Sequence, residues 1–156
     1  MLMKVFPHGT GEGDKPSRYL VRPDYPGRDT APPQILRGDL AMTRALIDSI
    51  ERRWKFTSGA LSWHPNDKVS EEQEEEVMDA FERVAFAGLE ADQRNILWVR
   101  HTHAGHHELH FLIPRLELSS GKDFNACPPG WQKDFDVFRD LFNWREGWAR
   151  PDDPAR

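Results

Sequence analysis

The spacing of apolar residues changes several times along the chain, and each change marks an element. Leu2, Met3, Val5 and Phe6 predict a first strand over 1–6, closed by Pro7 and the glycine-rich loop from Gly9 to Gly13. A short helical turn is expected over Ser17 to Val21. Four prolines and Gly27 between Pro23 and Pro33 then call for a loop. Asp39 is placed to cap a helix whose apolar positions Leu46, Ile47, Ile50 and Trp54 follow helical spacing. Phe56 to Trp63 has the character of a strand and stops at His64-Pro65-Asn66-Asp67.

The clearest helix follows. Ser70 and Gln73 have the spacing of a capping box, and Val77, Met78, Phe81, Val84 and Ala85 form the buried stripe. Asn95 to Thr102 predicts a strand that is apolar on both faces from Ile96 to Val99, so it belongs inside a sheet. His107 to Pro114 predicts another. After Pro128-Pro129-Gly130 a last helix should turn Phe135, Phe138, Leu141 and Phe142 inward. Together these elements describe an α+β fold, a central antiparallel sheet with helices packed on it, in a single domain over 1–148. Residues 149–156, with Arg150-Pro151-Asp152-Asp153-Pro154, suggest the start of a linker.

Composition narrows the class. The 156 residues suit one domain with a real core, and no apolar run approaches the roughly 20 residues of a membrane span. Cys127 is the only cysteine, so an internal disulfide is excluded and a reducing cytoplasm is the expected compartment. The net charge of −5 argues against nucleic acid at first sight. It is unevenly spread, however. Residues 71–92 carry nine acidic side chains against Arg83 alone, and the remainder is about +3. That acidic run is expected to be a solvated helix start, favourable at the positive end of the helix dipole, and not a metal site.

Chemistry concentrates in one segment. Five of the seven histidines lie in the ten residues His101-Thr102-His103-Ala104-Gly105-His106-His107-Glu108-Leu109-His110. Strand alternation puts His101 and His103 on one face of the incoming strand, and Glu108 and His110 on one face of the outgoing strand. A four-residue turn, Ala104 to His107, would set His103 opposite Glu108 and His101 opposite His110. Imidazoles and a carboxylate converging on a rigid hairpin make a divalent-metal site with an open position. The plainer alternative is an exposed histidine-rich turn, which suits His106 and His107 better than His101, Glu108 and His110. Burying Glu108 among histidines without a cation would cost several kcal/mol. Two or three nitrogens with one oxygen suit manganese, zinc, iron or nickel better than magnesium.

Trp98-Val99-Arg100-His101, six further residues and Glu108-Leu109-His110-Phe111-Leu112-Ile113-Pro114 resemble the third motif of plasmid mobilisation relaxases. The branch concerned is the MobA-type His-Glu-Asn branch, related to the HUH endonucleases. Its signature falls on His101, Glu108 and His110, with histidine in place of the branch's asparagine, as in the three-histidine motif of the wider superfamily. Phe6-Pro7, Gly9 to Gly13 and Tyr19-Leu20 resemble the family's first motif, a glycine-rich loop followed by the nucleophilic tyrosine. Shorter matches run in order through Leu36-Arg37-Gly38, Thr57 to Ser62, Phe81-Glu82-Arg83, Leu118 to Lys122 and Ala149 to Pro154.

The resemblance implies a relaxase catalytic domain. It would make a site- and strand-specific nick at a plasmid transfer origin through a 5′-phosphotyrosyl intermediate, and would rejoin the strand. Tyr19 is the implied nucleophile and Tyr25 the second choice. His101, Glu108 and His110 would hold a divalent cation, manganese or magnesium with zinc or nickel as alternatives, and His103 would be a further ligand or phosphate contact. Arg18, Arg22, Arg28 and Arg37 are candidates for contact with single-stranded DNA. An accessory mobilisation protein and a secretion-system coupling protein are the implied partners. A phosphate-binding NTPase loop is excluded, because no Gly-Lys-Ser/Thr step follows the glycines. Of the six tryptophans, most are expected in the core and the rest could stack unpaired bases. Two other readings stay open: a hydrolase using an activated water with no role for Tyr19, and a non-catalytic DNA-binding or metal-sensing relative.

Overall fold

In a computed structural model of the chain, which describes residues 1–154, a five-stranded antiparallel sheet is covered by helices on both faces. The strands are β1 (Leu2–Val5), β2 (Gln34–Arg37), β3 (Phe56–Ser62), β4 (Leu97–His101) and β5 (Glu108–Pro114). They lie in the order β1-β3-β5-β4-β2, so β5 is central. The helices are α1 (Asp14–Val21), α2 (Leu40–Asp48), α3 (Glu71–Ala85) and α4 (Gln132–Glu146). Among the described residues no helix is long and apolar enough to cross a membrane.

Local chemistry explains the helix starts. Asp39 Oδ1 accepts from the Met42 amide at 2.7 Å and opens α2. Ser70 and Gln73 make the reciprocal capping box of α3, at 3.1 and 2.8 Å. The expected turn at Ser17–Val21 is a longer helix. α1 begins at Asp14 because Pro16 is tolerated in a first turn, and because Gly13 lets the helix start lie against α2. A Cβ at Gly13 would stand 3.0 Å from the Arg44 carbonyl, and the Gly13 amide donates to Asp48 Oδ1 at 2.8 Å.

The two faces differ in content. Beneath α3 and α4 lies the main core, in which Phe81 meets Trp98, Phe111, Phe135 and Phe138. Beneath α1 and α2 lies a small cluster of Leu20, Ile47, Phe56, Leu97, Val99 and Leu112. Four features depart from expectation. Leu141 is 59% exposed, because the inward stripe of α4 runs through Phe135, Phe138 and Phe142. Ile50 and Trp54 lie beyond the end of α2, whose last residue is Asp48. The loop expected over 23–33 is present, but the strand β2 that follows it, too short and too exposed to show a period, was not expected.

The fourth correction concerns the hairpin. His101 pairs with Glu108 and Val99 with His110, so the connection takes the six residues 102–107 and not four. His103 lies beyond the ladder. In the segment 149–156, expected to start a linker, the Ala149 amide donates to Asp67 Oδ2 at 2.9 Å. The segment's last two residues, Ala155 and Arg156, lie outside the described residues.

Candidate metal and nucleophile site

Alternation along four neighbouring strands, β1, β3, β5 and β4, builds one row on the face that carries α1 and α2. Leu2 and Lys4 of β1 pair with Ser62 and Ala60 of β3, which pair in turn with Glu108 and His110 of β5. His101 of β4 stands directly across from Glu108. The rings of His101 and His110 are 4.2 Å apart. One donor atom from each of His101, Glu108 and His110 lies within 4.8 Å of the others. His103, whose ring is 5.3 Å from that of His101, is outside this group. His106 reaches back from the loop, its Nε2 3.2 Å from Glu108 Oε2.

The protonation states suit a cation. His101 Nε2 is 2.8 Å from the Leu20 carbonyl. A carbonyl can only accept, so Nε2 holds the proton and Nδ1 keeps a free lone pair. Burial, then the neighbouring His110, pushes His101 down to about 4, so its imidazole is neutral at pH 7. Burial opposes the charge on Glu108, yet the contacts from His110 and His106 hold it down at about 2. Nδ1 of His110 and Nδ1 of His103 are buried with no hydrogen-bond partner among the described residues. The neutral His101 imidazole, an ionised carboxylate and buried nitrogens without partners form a donor set that fits a divalent cation.

Tyr19 belongs to the same place. It is 43% exposed on α1 and lines a cleft of about 730 Å³ together with Lys4, Phe6, His101, Glu108 and His110. Its helix is fastened to the candidate ligand group through the bond between the Leu20 carbonyl and His101. A second fastening comes from Arg28, which is fully buried. Arg28 Nη1 donates to the carbonyls of Tyr19 and Arg22, at 2.5 and 3.0 Å. The guanidinium lies 5.1 Å from the Tyr19 ring and 4.7 Å from that of Tyr25. Tyr25 meets Tyr19 edge-on at 5.7 Å and His103 at 5.4 Å, so the loop aromatic packs against two residues that line the cleft. Partial burial, then Tyr25, raises Tyr19 above the usual phenol range while Arg28 pulls the other way.

The other arginines are dispersed. Arg18 and Arg22 are exposed near α1 and pair with Asp14 and Asp24, each at 2.9 Å. Arg37 is held on the far side of the sheet by Glu75, Asp79 and Glu82 of α3. Trp63, Trp98 and Trp148 are core residues, whereas Trp54 and Trp144 are exposed. Lys4 was not singled out from the sequence, and Phe6 entered only as a strand and motif residue. The alternation of β1 that places Leu2, Lys4 and Phe6 on one side was the available signal.

Comparison with known proteins bears on this arrangement. A family model described as "Relaxase: MobA/VirD2-like, nuclease domain" matches residues 32–143, a span that holds His101, Glu108 and His110 and starts after Tyr19. The chain is 40% identical over 159 residues to cryptic plasmid protein C of Neisseria gonorrhoeae, covering all of this chain and 75% of that protein. It is 38% identical over 122 residues to the DNA relaxase MbeA of Escherichia coli, covering 78% of this chain and 23% of that protein. No solved structure matches.

Proposed function

The chain belongs to the MobA/VirD2-like relaxase nuclease family, and on that premise we propose that it nicks one DNA strand at a plasmid transfer origin using Tyr19. The observation that carries this reading is the shared cleft: the exposed phenol and the His101–Glu108–His110 group line one cavity. The nicking activity follows from the family; the assignment to Tyr19 rests on the cleft.

In the step proposed, the phenol oxygen of Tyr19 forms a bond to the scissile phosphorus and the P–O3′ bond breaks. The 3′ oxygen departs with that electron pair and takes up a proton, the phenol proton being lost to the cleft. A 5′-phosphotyrosyl bond and a free 3′-hydroxyl result, and the reverse reaction rejoins the strand. An unperturbed phenol is only about 0.1% ionised at pH 7, a deficit of about 4 kcal/mol, and the surroundings of Tyr19 enlarge it. A divalent cation held by His101, Glu108 and His110, with manganese and magnesium the first candidates, would withdraw charge from the phosphate oxygens. Lys4 and His103 face the same cleft and would contact those oxygens directly. Arg28 would hold the Tyr19 ring in place from beneath, and the exposed Arg18 and Arg22 would meet phosphates further along the strand.

Family membership extends the proposal to single-stranded DNA as substrate, with an accessory mobilisation protein and a secretion-system coupling protein as partners. The decisive experiment replaces Tyr19 with Phe and follows a transfer-origin oligonucleotide with manganese. Loss of the covalent protein–DNA adduct and of nicking together, by at least about a thousandfold, is expected for removal of a nucleophile. Nicking that persists without an adduct would mean that water, not Tyr19, attacks.

A further inference from the structure

Glu74 stands in the first turns of α3, in the stretch expected from sequence to be solvated, and its side chain is only 2% exposed. It reaches the back of the sheet at the end that carries the histidine hairpin. Oε2 accepts from Arg100 Nε at 2.7 Å and Oε1 from Arg100 Nη2 at 2.5 Å, a bidentate grip. Oε2 also lies 2.7 Å from His107 Nε2. Arg100 directly precedes His101, and His107 directly precedes Glu108. One carboxylate therefore ties together the two strands at the residues just before two of the three candidate ligands, which face each other in the ladder.

The loop end is braced further on the same side. The His107 carbonyl accepts from the Trp63 amide at 3.0 Å, and its ring meets Trp63 edge-on at 5.4 Å. Arg100 also binds the side chain of Gln34 on β2. A buried charge is costly to keep, and an apolar residue at this helical position would fill the space at least as well. Keeping the ion pair makes sense if orientation is its purpose.

We propose that Glu74 is a positioning residue for the metal site, fixing the spacing and orientation of His101 and Glu108 from the opposite face of the sheet. This rests on the metal reading of His101, Glu108 and His110. The same helix supplies a control. Glu82 is similarly engaged, with Arg37, Arg94 and Trp98 Nε1, but contacts none of the residues from Arg100 to His110.

The test compares the full chain with Glu74→Gln, Glu74→Ala and Glu82→Gln. Manganese affinity is measured by calorimetry, stability by thermal unfolding, and hairpin amide exchange is followed in metal-free protein. The Glu74 variants should bind manganese about tenfold more weakly or worse, the scale seen when outer-shell partners of metal ligands are removed. Their amides at 101–108 should exchange faster, whereas Glu82→Gln loses stability with affinity and hairpin exchange unchanged. If Glu74→Ala does not fold, Glu74→Gln carries the same expectation. Wild-type affinity and exchange in Glu74→Gln, or equal effects from Glu82→Gln, would overturn the positioning role. Absence of manganese binding by the wild-type chain would instead remove the metal reading on which the role rests.

Discussion

His110 and Phe111 are neighbours on the central strand, and they look into opposite environments. Phe111 is fully buried among Phe81, Trp98 and the rest of the aromatic core beneath α3 and α4. His110 faces the α1 side, where a small apolar cluster gives way to a cleft, and its Nδ1 is buried without a partner. A sheet has two sides, and this one divides its labour between them. The densely packed face supplies stability, which lets the other face keep polar atoms that contribute nothing to folding alone.

Two substitutions at these adjacent positions put the division to the test. Phe111→Ala should cost about 3–5 kcal/mol of unfolding free energy in a denaturant titration, since it empties the centre of a packed core. A loss under about 1 kcal/mol would show that the aromatic cluster is not the stabilising face. His110→Ala should have the smaller effect on stability, less than about 1 kcal/mol, because the group removed already leaves a nitrogen unsatisfied. It should nevertheless abolish manganese uptake measured by calorimetry. A His110→Ala protein that is badly destabilised yet still binds the cation would reverse the assignment of the two faces.

Much of this division was legible in the sequence, for reasons that can be stated. The period of two along β4 and β5 put His101, Glu108 and His110 on one face even though the loop between them is longer than expected. Lengthening the turn from four residues to six shifts the pairing by two positions, and an even shift preserves the face where an odd one would have reversed it. The capping pairs Asp39–Met42 and Ser70–Gln73 are local, so they could be read directly. β2 is four residues on an edge with a bulge between Ile35 and Arg37, and so short a segment carries no readable period.

The remaining gaps come from contacts between residues distant in sequence. Nothing near Arg28 in the chain indicates that its guanidinium lies beneath the rings of Tyr19 and Tyr25. Glu74 is the instructive case. It falls at the helical position that continues the stripe of Val77, Met78, Phe81 and Ala85, so its burial was available from spacing. The exposed Glu71, Glu72, Glu75 and Glu76 on either side of it disguise that one position as part of a solvated block.

The central claim is that the hairpin gathers a cation beside Tyr19. Anomalous diffraction from crystals grown with manganese tests it most directly. The account predicts one peak bonded to a nitrogen of His101, a nitrogen of His110 and a carboxylate oxygen of Glu108, with the Tyr19 hydroxyl opening onto the same cleft. A protein saturated with manganese that shows no peak there, with Glu108 still paired to His106, would contradict it.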